Sequence, residues 1–214
     1  MITDKIMIMG AMKDVELNLI LDNLIDVNVY EDVSYTFYEG KLFDKNVIVC
    51  HMNIGTINAA VATYAGIKKY NPTSIIVIGT AGAHKENIHR EDLVVATKVL
   101  NLNSINFETK VYETSKELLE MIRNFDADSM FNVHYGIVGS GDVWTKESGK
   151  IKEMNSKYST LCEEMESAAV CDVAEKYNIP VANIRVVSNN EITVEEYVRE
   201  TGAVAQKFLL EILK

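Results

Sequence analysis

The chain has 214 residues, of which 48% are hydrophobic and 24% are charged, and its 31 acidic and 21 basic side chains give a net charge of −10. This length and composition are typical of one globular domain, which we expect to span residues 1–214. The negative charge excludes a surface for nucleic acid, because it repels phosphate backbones.

The first elements along the chain alternate between strand and helix patterns. Residues 6–9 form a short apolar run that predicts a strand, and Gly10 separates it from apolar side chains at near-helical spacing in residues 15–24. Between residues 26 and 45 apolar and polar side chains interleave, which predicts a hairpin. The sheet is therefore expected to be mixed, with antiparallel as well as parallel strands.

The rest of the chain continues this alternation, and Pro72 marks the break before its most apolar run. Further strands are expected at residues 47–50, 74–78, 93–97, 133–138 and 181–187, and further helices at residues 58–69, 115–124, 164–176 and 194–213. Apolar strands separated by helices indicate a sheet that is covered on both faces. The pattern therefore predicts an α/β fold.

Glycine-rich or polar segments follow several predicted strands, where ligands gather in such sheets. They are Gly10-Ala11-Met12, Gly79-Thr80-Ala81-Gly82, Gly139-Ser140-Gly141-Asp142 and Ser188-Asn189-Asn190, while Glu163-Glu164-Met165-Glu166-Ser167 opens a predicted helix. Each segment alone has an ordinary explanation, as a turn or as acidic residues at a helix start. The sequence contains no dinucleotide-binding glycine pattern, P-loop or metal-ligand pattern, so we expect no cofactor and no metal.

Together and in this order, these segments resemble the nucleoside phosphorylase/hydrolase superfamily and, within it, the methylthioadenosine/S-adenosylhomocysteine nucleosidases. The resemblance covers about residues 5–214, and Arg185-Val186-Val187-Ser188 adds to it. It implies a three-layer α/β/α sandwich around a mixed β-sheet, commonly assembled as a homodimer. It also implies cleavage of the N-glycosidic bond of a purine nucleoside.

The resemblance implies roles for individual residues. Glu166 matches the family's ribose carboxylate, and a fixed carboxylate stabilises the positive charge that builds on the sugar during cleavage. The implied binding residues are Glu164, Met165 packed against the ribose, Trp144 stacked on the base, Thr145 with backbone groups at the base edge, and Arg185, which holds the attacking water with Thr80 and an acidic residue. Since Arg185 lies in an apolar strand it requires an acidic partner, and a buried ion pair without chemistry is the alternative interpretation.

The first departure from the family pattern concerns the residue that activates water. The family's glutamate normally lies five residues after the glycine of Gly-Ala-Met, and that position here is Val15. Asp14 and Glu16 flank it. Val15 fits the apolar face of the predicted helix, so we expect Glu16 to be the catalytic base and retain Asp14 as the alternative.

The second departure is Asn189, where the nucleosidases usually have Asp. An amide makes similar hydrogen bonds but cannot deliver a proton to the departing purine, and general acid catalysis is worth about 10²–10⁴-fold. Related enzymes that prefer 6-oxopurines use Asn at the base. The amide can also be turned to suit adenine, so both classes of base stay open.

The expected nucleophile is water, because Val77 stands where the phosphorylases carry an arginine. The leading hypothesis is therefore a purine nucleosidase of the methylthioadenosine/S-adenosylhomocysteine type, a homodimer that hydrolyses its small purine nucleoside to free base and sugar. No secretion signal or apolar run of about 20 residues is present, which predicts a cytoplasmic enzyme with no membrane partner. The alternatives are a 6-oxopurine nucleosidase, a purine nucleoside phosphorylase, or a nucleoside-binding protein without activity.

Overall fold

Apolar side chains alternate in direction along the central strands, and this alternation creates two separate cores. In the computed structural model, which describes residues 4–104, 109–125 and 130–214, Met7 and Met9 of the first strand belong to one core. Their neighbours Ile6 and Ile8 belong to the other. Because successive side chains of a strand point to opposite faces, the sheet must be covered by helices on both sides.

The described residues form ten strands and six α-helices. The strands are β1 (Lys5–Gly10), β2 (Ile25–Glu31), β3 (Thr36–Leu42), β4 (Lys45–His51), β5 (Ser74–Ala83), β6 (Leu93–Asn101), β7 (Val111–Glu113), β8 (Val133–Ser140), β9 (Thr160–Glu164) and β10 (Val181–Asn189). The helices are α1 (Asn18–Asp22), α2 (Thr56–Tyr70), α3 (Lys116–Arg123), α4 (Ser148–Tyr158), α5 (Ser167–Lys176) and α6 (Gly202–Leu213). A π-helical turn at Lys13–Leu17 precedes α1.

The ten strands form one mixed sheet, as the hairpin pattern predicts. Strand β5 runs parallel to β1 on one side and to β10 on the other. The predicted hairpin is β2 paired antiparallel with β3, and it extends the sheet beyond β4. At its carboxyl end β5 also meets β9, and the pairings β10–β6, β6–β8 and β8–β9 complete a closed ring of strands.

Helices on both faces give the predicted three layers. The core on one face joins the sheet to α2 and α5 through Ala59, Ala62, Ala168 and Ala174. The core on the other face joins it to α1, α3 and α6 through side chains that include Ile20, Leu118, Ile122, Phe208 and Leu209. The α/β/α sandwich expected from the resemblance is therefore confirmed.

Two predicted helix starts are wrong. The helix expected from residue 164 begins at Ser167, because the residues before it form β9, whose Glu164 pairs with Ser140 of β8. The helix expected from residue 194 begins at Gly202, because residues 190–195 form a bridged turn through Asn190 and Glu195. Acidic residues at 164 and 195 resemble a helix start, and tertiary pairing decides against it in both places.

Helices in the described ranges vary in length from 5 residues in α1 to 15 residues in α2. Crossing a bilayer takes about 20 apolar residues. None of these helices combines the length and apolar character that a membrane span needs. Their apolar faces instead cover the sheet.

Candidate active site

A cavity opens where β1, β5, β9 and β10 end, which is where the glycine-rich segments of the sequence meet. The structure brings Glu16, Thr80, Trp144, Met165 and Asn189 to its wall. Its acidic side chains are Glu16, Glu163, Glu164 and Glu166, and no Lys, Arg or His lines it within the described ranges. The cavity wall is therefore acidic.

The π-helical turn after β1 determines which acidic residue faces the cavity. A π-turn holds one residue more than an α-turn, since its hydrogen bonds run from i to i+5 rather than i+4. The extra residue is accommodated between Gly10 and α1, so that Val15 packs into the core and Glu16 reaches the cavity. A local change of helix type thus compensates for the one-residue shift in the sequence.

Glu16 is held in the cavity by four donors. Its Oε2 accepts hydrogen bonds from the backbone N–H groups of Ala11 at 2.8 Å and Met12 at 3.0 Å. Its Oε1 accepts from the N–H of Thr80 at 2.9 Å and from the Thr80 hydroxyl at 3.3 Å. The carboxylate is therefore fixed between the ends of β1 and β5.

Asp14, the alternative base, does not share this position. Its side chain is 79% exposed, and its closest charged partner is Arg199, at 3.9 Å. Asp14 precedes the buried Val15 and points away from the sheet on the outside of the turn. The structure thus separates the two candidates and leaves Glu16 as the acid that reaches the cavity.

Arg185 does not line the cavity wall itself, and the role in holding water that the resemblance implies for it stays a prediction. It is fully buried, and its guanidinium pairs with Glu164 at 2.5 Å and donates to the Ser167 hydroxyl at 2.7 Å. A second nitrogen lies 3.7 Å from Glu166. A buried cation needs such anionic partners, and within the described residues Nε and Nη1 of Arg185 make no hydrogen bond.

Glu164 and Glu166 differ in how the protein uses them. Glu164 accepts hydrogen bonds from the backbone N–H groups of Glu166 and Ser167 in addition to its ion pair with Arg185. Glu166 accepts one backbone hydrogen bond, from Gly55 at 3.0 Å. Burial, followed by the neighbouring charge of Glu164, raises the pKa of Glu166 to about 8. Glu166 therefore has unused acceptor capacity toward the cavity.

Two aromatic rings, those of Trp144 and Tyr197, also line the cavity. Trp144 is 47% exposed, and its ring meets the edge of Tyr197 at a centroid distance of 5.8 Å. A half-exposed tryptophan on a cavity wall offers a flat apolar face to a ligand ring. Burial and the charge of Glu16 raise the pKa of the Tyr197 phenol, which also lies at the cavity wall.

The backbone donor of Thr145 is not available at the base edge as expected. The Thr145 N–H donates to Oε1 of Glu163 at 2.5 Å, and the Thr145 hydroxyl donates to Oε2 at 3.1 Å. Thr145 is buried, and Glu163 stands at the cavity wall in its place. The cause is the strand β9, which places a carboxylate where a helix had been predicted.

Asn189 lies at the end of β10, with its amide in the cavity wall. Its NH₂ group donates to Glu191 at 3.2 Å, and its carbonyl oxygen accepts from the Ser188 hydroxyl at 3.1 Å. A carboxylate can only accept, so Glu191 orients the NH₂ group. The amide keeps a second N–H for a ligand.

The cavity residues Tyr197 and Glu163 received no role from the sequence. Tyr197 was predicted inside a helix, although it is an isolated aromatic between β10 and α6. Glu163 was assigned to a helix start, although an acidic residue in the buried strand Thr160–Glu164 is unusual and is itself a signal of function. Glu163 could be recognised only once β9 was seen to extend to Glu164, and Tyr197 only once α6 was seen to begin at Gly202.

No group of three or more His, Cys, Asp or Glu side chains in the described part of the chain is arranged to hold a metal ion. The four glutamates of the cavity are instead held by backbone N–H groups, hydroxyls and Arg185. The chemistry that the cavity offers is therefore that of carboxylates, an amide and aromatic rings.

Known proteins resemble the chain over almost its whole length. A family model described as the phosphorylase superfamily matches residues 5–214. The 5′-methylthioadenosine/S-adenosylhomocysteine nucleosidase of Staphylococcus haemolyticus is 26% identical over 224 residues, which cover 97% of this chain and 98% of that protein.

Solved structures share the fold. The 5′-methylthioadenosine/S-adenosylhomocysteine nucleosidase of S. pneumoniae, determined with a transition-state inhibitor, superposes with a TM-score of 0.87 at 26% identity and covers 98% of both chains. The futalosine hydrolase of Helicobacter pylori has the same TM-score, 0.87, at 22% identity, with 99% of this chain and 97% of that one covered. The similarity to the futalosine hydrolase, at 22% identity, shows a shared fold and no more.

The raised pKa of Glu166 predicts a dependence of stability on pH. The folded chain holds this proton up to about pH 8, whereas the ordinary value is 4.5. The stabilisation that the protonated Glu166 contributes is complete below its ordinary pKa, and it is lost as the pH rises to about 8, the pKa in the folded chain. We expect the free energy of unfolding to fall by at most about 1.4 kcal/mol per pH unit in this window, and Glu166→Gln to remove that slope.

Urea unfolding at several pH values measures this slope. Glu153→Gln, which changes an exposed carboxylate on α4, is the matched control and should keep the wild-type slope. Equal slopes in wild type and Glu166→Gln would contradict the prediction.

Proposed function

The chain belongs to the phosphorylase superfamily, and on that premise we propose that it is a purine nucleosidase. It hydrolyses the N-glycosidic bond of purine nucleosides related to 5′-methylthioadenosine and S-adenosylhomocysteine, the compounds for which its relatives are named. The observation that carries this proposal is the meeting of Glu16 and Glu166 at one cavity, beside the aromatic ring of Trp144. In this proposal Glu16 activates the water, Glu166 binds the sugar and Trp144 stacks on the base.

The charge of the cavity favours water as the nucleophile. No Lys, Arg or His among the described residues lines it to hold phosphate, and Arg185 behind the wall is already paired with Glu164. Val77 is buried in the core, so the position at which the phosphorylases carry an arginine offers no anion site here. Water needs no cation to hold it.

Glu16 is the proposed base. The backbone and hydroxyl donors of Thr80 hold one of its oxygens at the end of β5, and Ala11 and Met12 hold the other. A water molecule that donates to Glu16 loses its proton to the carboxylate as its oxygen bonds to the anomeric carbon, the C–N bond to the purine breaks, and the departing base takes up a proton from solvent. General base catalysis of this kind is worth about 10²–10⁴-fold.

Glu166 is the proposed partner of the ribose. Its carboxylate receives one hydrogen bond from the protein, at Gly55, and has acceptor positions left for sugar hydroxyls. Positive charge develops on the sugar as the glycosidic bond breaks, and the ionised form of Glu166, which forms as the pH rises toward its pKa of about 8, stabilises that charge more than the ground state. Met165 packs beside it on the same wall.

We also propose that the active form is a homodimer. Ile54, Ile57, Val61 and Tyr64 are exposed, and their spacing of three, four and three residues places them on one side of α2 and the turn before it. Ile54 also lines the cavity, so this apolar stripe begins at the cavity mouth. A partner that covers the stripe would complete the wall that faces the 5′ end of the nucleoside.

The function is tested by incubating the protein with 5′-methylthioadenosine, S-adenosylhomocysteine, 5′-methylthioinosine and inosine, with and without phosphate. We expect free base and free sugar, released at a rate that phosphate does not change. Glu166→Gln is the control for background hydrolysis, because it should lose most of the turnover. A sugar phosphate as the main product would establish phosphorolysis, and tight binding without cleavage would establish a binding protein.

Glu16→Gln and Asp14→Asn form a matched pair that identifies the base. Glu16→Gln should lower kcat by about 10²–10⁴-fold, since an amide cannot accept the proton from water. Asp14→Asn changes an exposed carboxylate two residues away and should leave kcat near the wild-type value. Melting temperatures of both variants check the fold. If Asp14→Asn is the more damaging change, Glu16 is not the base.

Ile57→Glu tests the dimer, because Ile57 is the most exposed side chain of the stripe at 78%. A charge at its centre should dissociate the assembly, which sedimentation velocity measures. Val33→Glu introduces the same charge at a fully exposed valine between β2 and β3, so it should leave the assembly intact. A monomeric wild-type protein would overturn the proposal.

A further inference from the structure

Glu163 is a buried carboxylate of the cavity wall that the proposed reaction does not use. Three neighbouring strands place it across Gly82 from Asn189: Gly82 of β5 pairs with Asn189 of β10 on one side and with Glu163 of β9 on the other. A Cβ atom at Gly82 would lie 3.3 Å from the Asn189 amide nitrogen. The glycine therefore keeps open the space between the amide and the carboxylate.

The contacts of Glu163 define what it offers to a ligand. It accepts the backbone N–H and the hydroxyl of Thr145. Nε2 of His84 lies 3.4 Å from Oε2 but makes no hydrogen bond, while its Nδ1 lies 2.8 Å from the Thr160 hydroxyl oxygen. The Thr145 contacts hold the carboxylate in position, and they also occupy the backbone donor that would otherwise face the cavity.

The two side chains beside Gly82 therefore present a donor and an acceptor. The second N–H of the Asn189 amide is the donor, and Glu163 is the acceptor. A 6-oxopurine carries the complementary pair on one edge, an acceptor at O6 next to a donor at N1–H. Adenine carries the reverse pair, a donor at the 6-amino group next to an acceptor at N1.

We infer that Glu163 and Asn189 together select a 6-oxopurine as the base of the nucleoside. This inference rests on the proposed hydrolysis at this cavity and narrows its substrate. The Asn189 amide donates to O6, and Glu163 accepts the proton of N1–H. Adenine in the same pose places its N1 lone pair against the carboxylate and leaves a buried acceptor without a donor, which costs about 10- to 100-fold in affinity.

Binding of the free bases tests the inference without requiring turnover. Trp144 is the sole tryptophan of the chain and stands in the cavity wall, so its fluorescence reports on a bound ring. Hypoxanthine should bind at least about tenfold more tightly than adenine. Glu163→Gln should reduce that ratio at least about tenfold, because its amide can accept from Thr145 and also donate to N1 of adenine. Glu86→Gln, a surface change, should keep the wild-type ratio.

Cleavage of a matched substrate pair gives the second readout. 5′-Methylthioinosine and 5′-methylthioadenosine differ only at the base, so the ratio of their kcat/KM values should show the same preference and the same loss in Glu163→Gln. Tighter binding of adenine in the wild type, or a ratio that Glu163→Gln leaves unchanged, overturns the selection of 6-oxopurines. Failure to cleave either nucleoside while hypoxanthine binds preferentially would instead overturn the proposed hydrolysis and leave the base selection standing.

Discussion

One buried cation organises the acidic cavity. Arg185 is enclosed at the centre of β10, and its guanidinium pairs with Glu164 and lies near Glu166. Taking one charge out of water costs several kcal/mol, and two neighbouring carboxylates without a cation would repel each other in addition. The cluster is therefore stable only as a whole, and removing the guanidinium would leave uncompensated negative charge behind the cavity wall.

Two glycines of β5 make this arrangement sterically possible. A Cβ atom at Gly79 would lie 2.4 Å from the Arg185 guanidinium and 2.8 Å from the Glu16 carboxylate. At Gly82 the open space separates the Asn189 amide from Glu163. Because β5 has no side chain at these two positions, polar and charged side chains from the neighbouring segments can approach each other across it. The glycines are needed for this close approach, not for an unusual backbone conformation.

The turn after β1 accommodates the one extra residue by which this sequence differs from the family spacing. Glu16 lies one residue later than the family spacing, and the π-helical turn Lys13–Leu17 takes up the extra residue. Packing of α6 holds that turn in place: Gln206 accepts from the backbone N–H of Leu19 and donates to the carbonyl of Val15. The position of the proposed base therefore depends on a helix almost two hundred residues further along the chain.

The sequence by itself determined the layered fold and most of the residues at the cavity, because burial patterns and strand-end motifs are local properties. Thr80, Trp144, Met165, Glu166 and Asn189 were implied by the family resemblance that these motifs carry, and all of them line the cavity. Only the tertiary structure separated Glu16 from Asp14, placed Arg185 behind the wall and brought Glu163 to Thr145. Each of these positions depends on contacts between segments that are distant in the sequence. Strand β9 forms where a helix start was predicted, and β5 joins β9 to β10. A local sequence pattern does not encode which distant segment will pair with it, so these contacts could not be predicted.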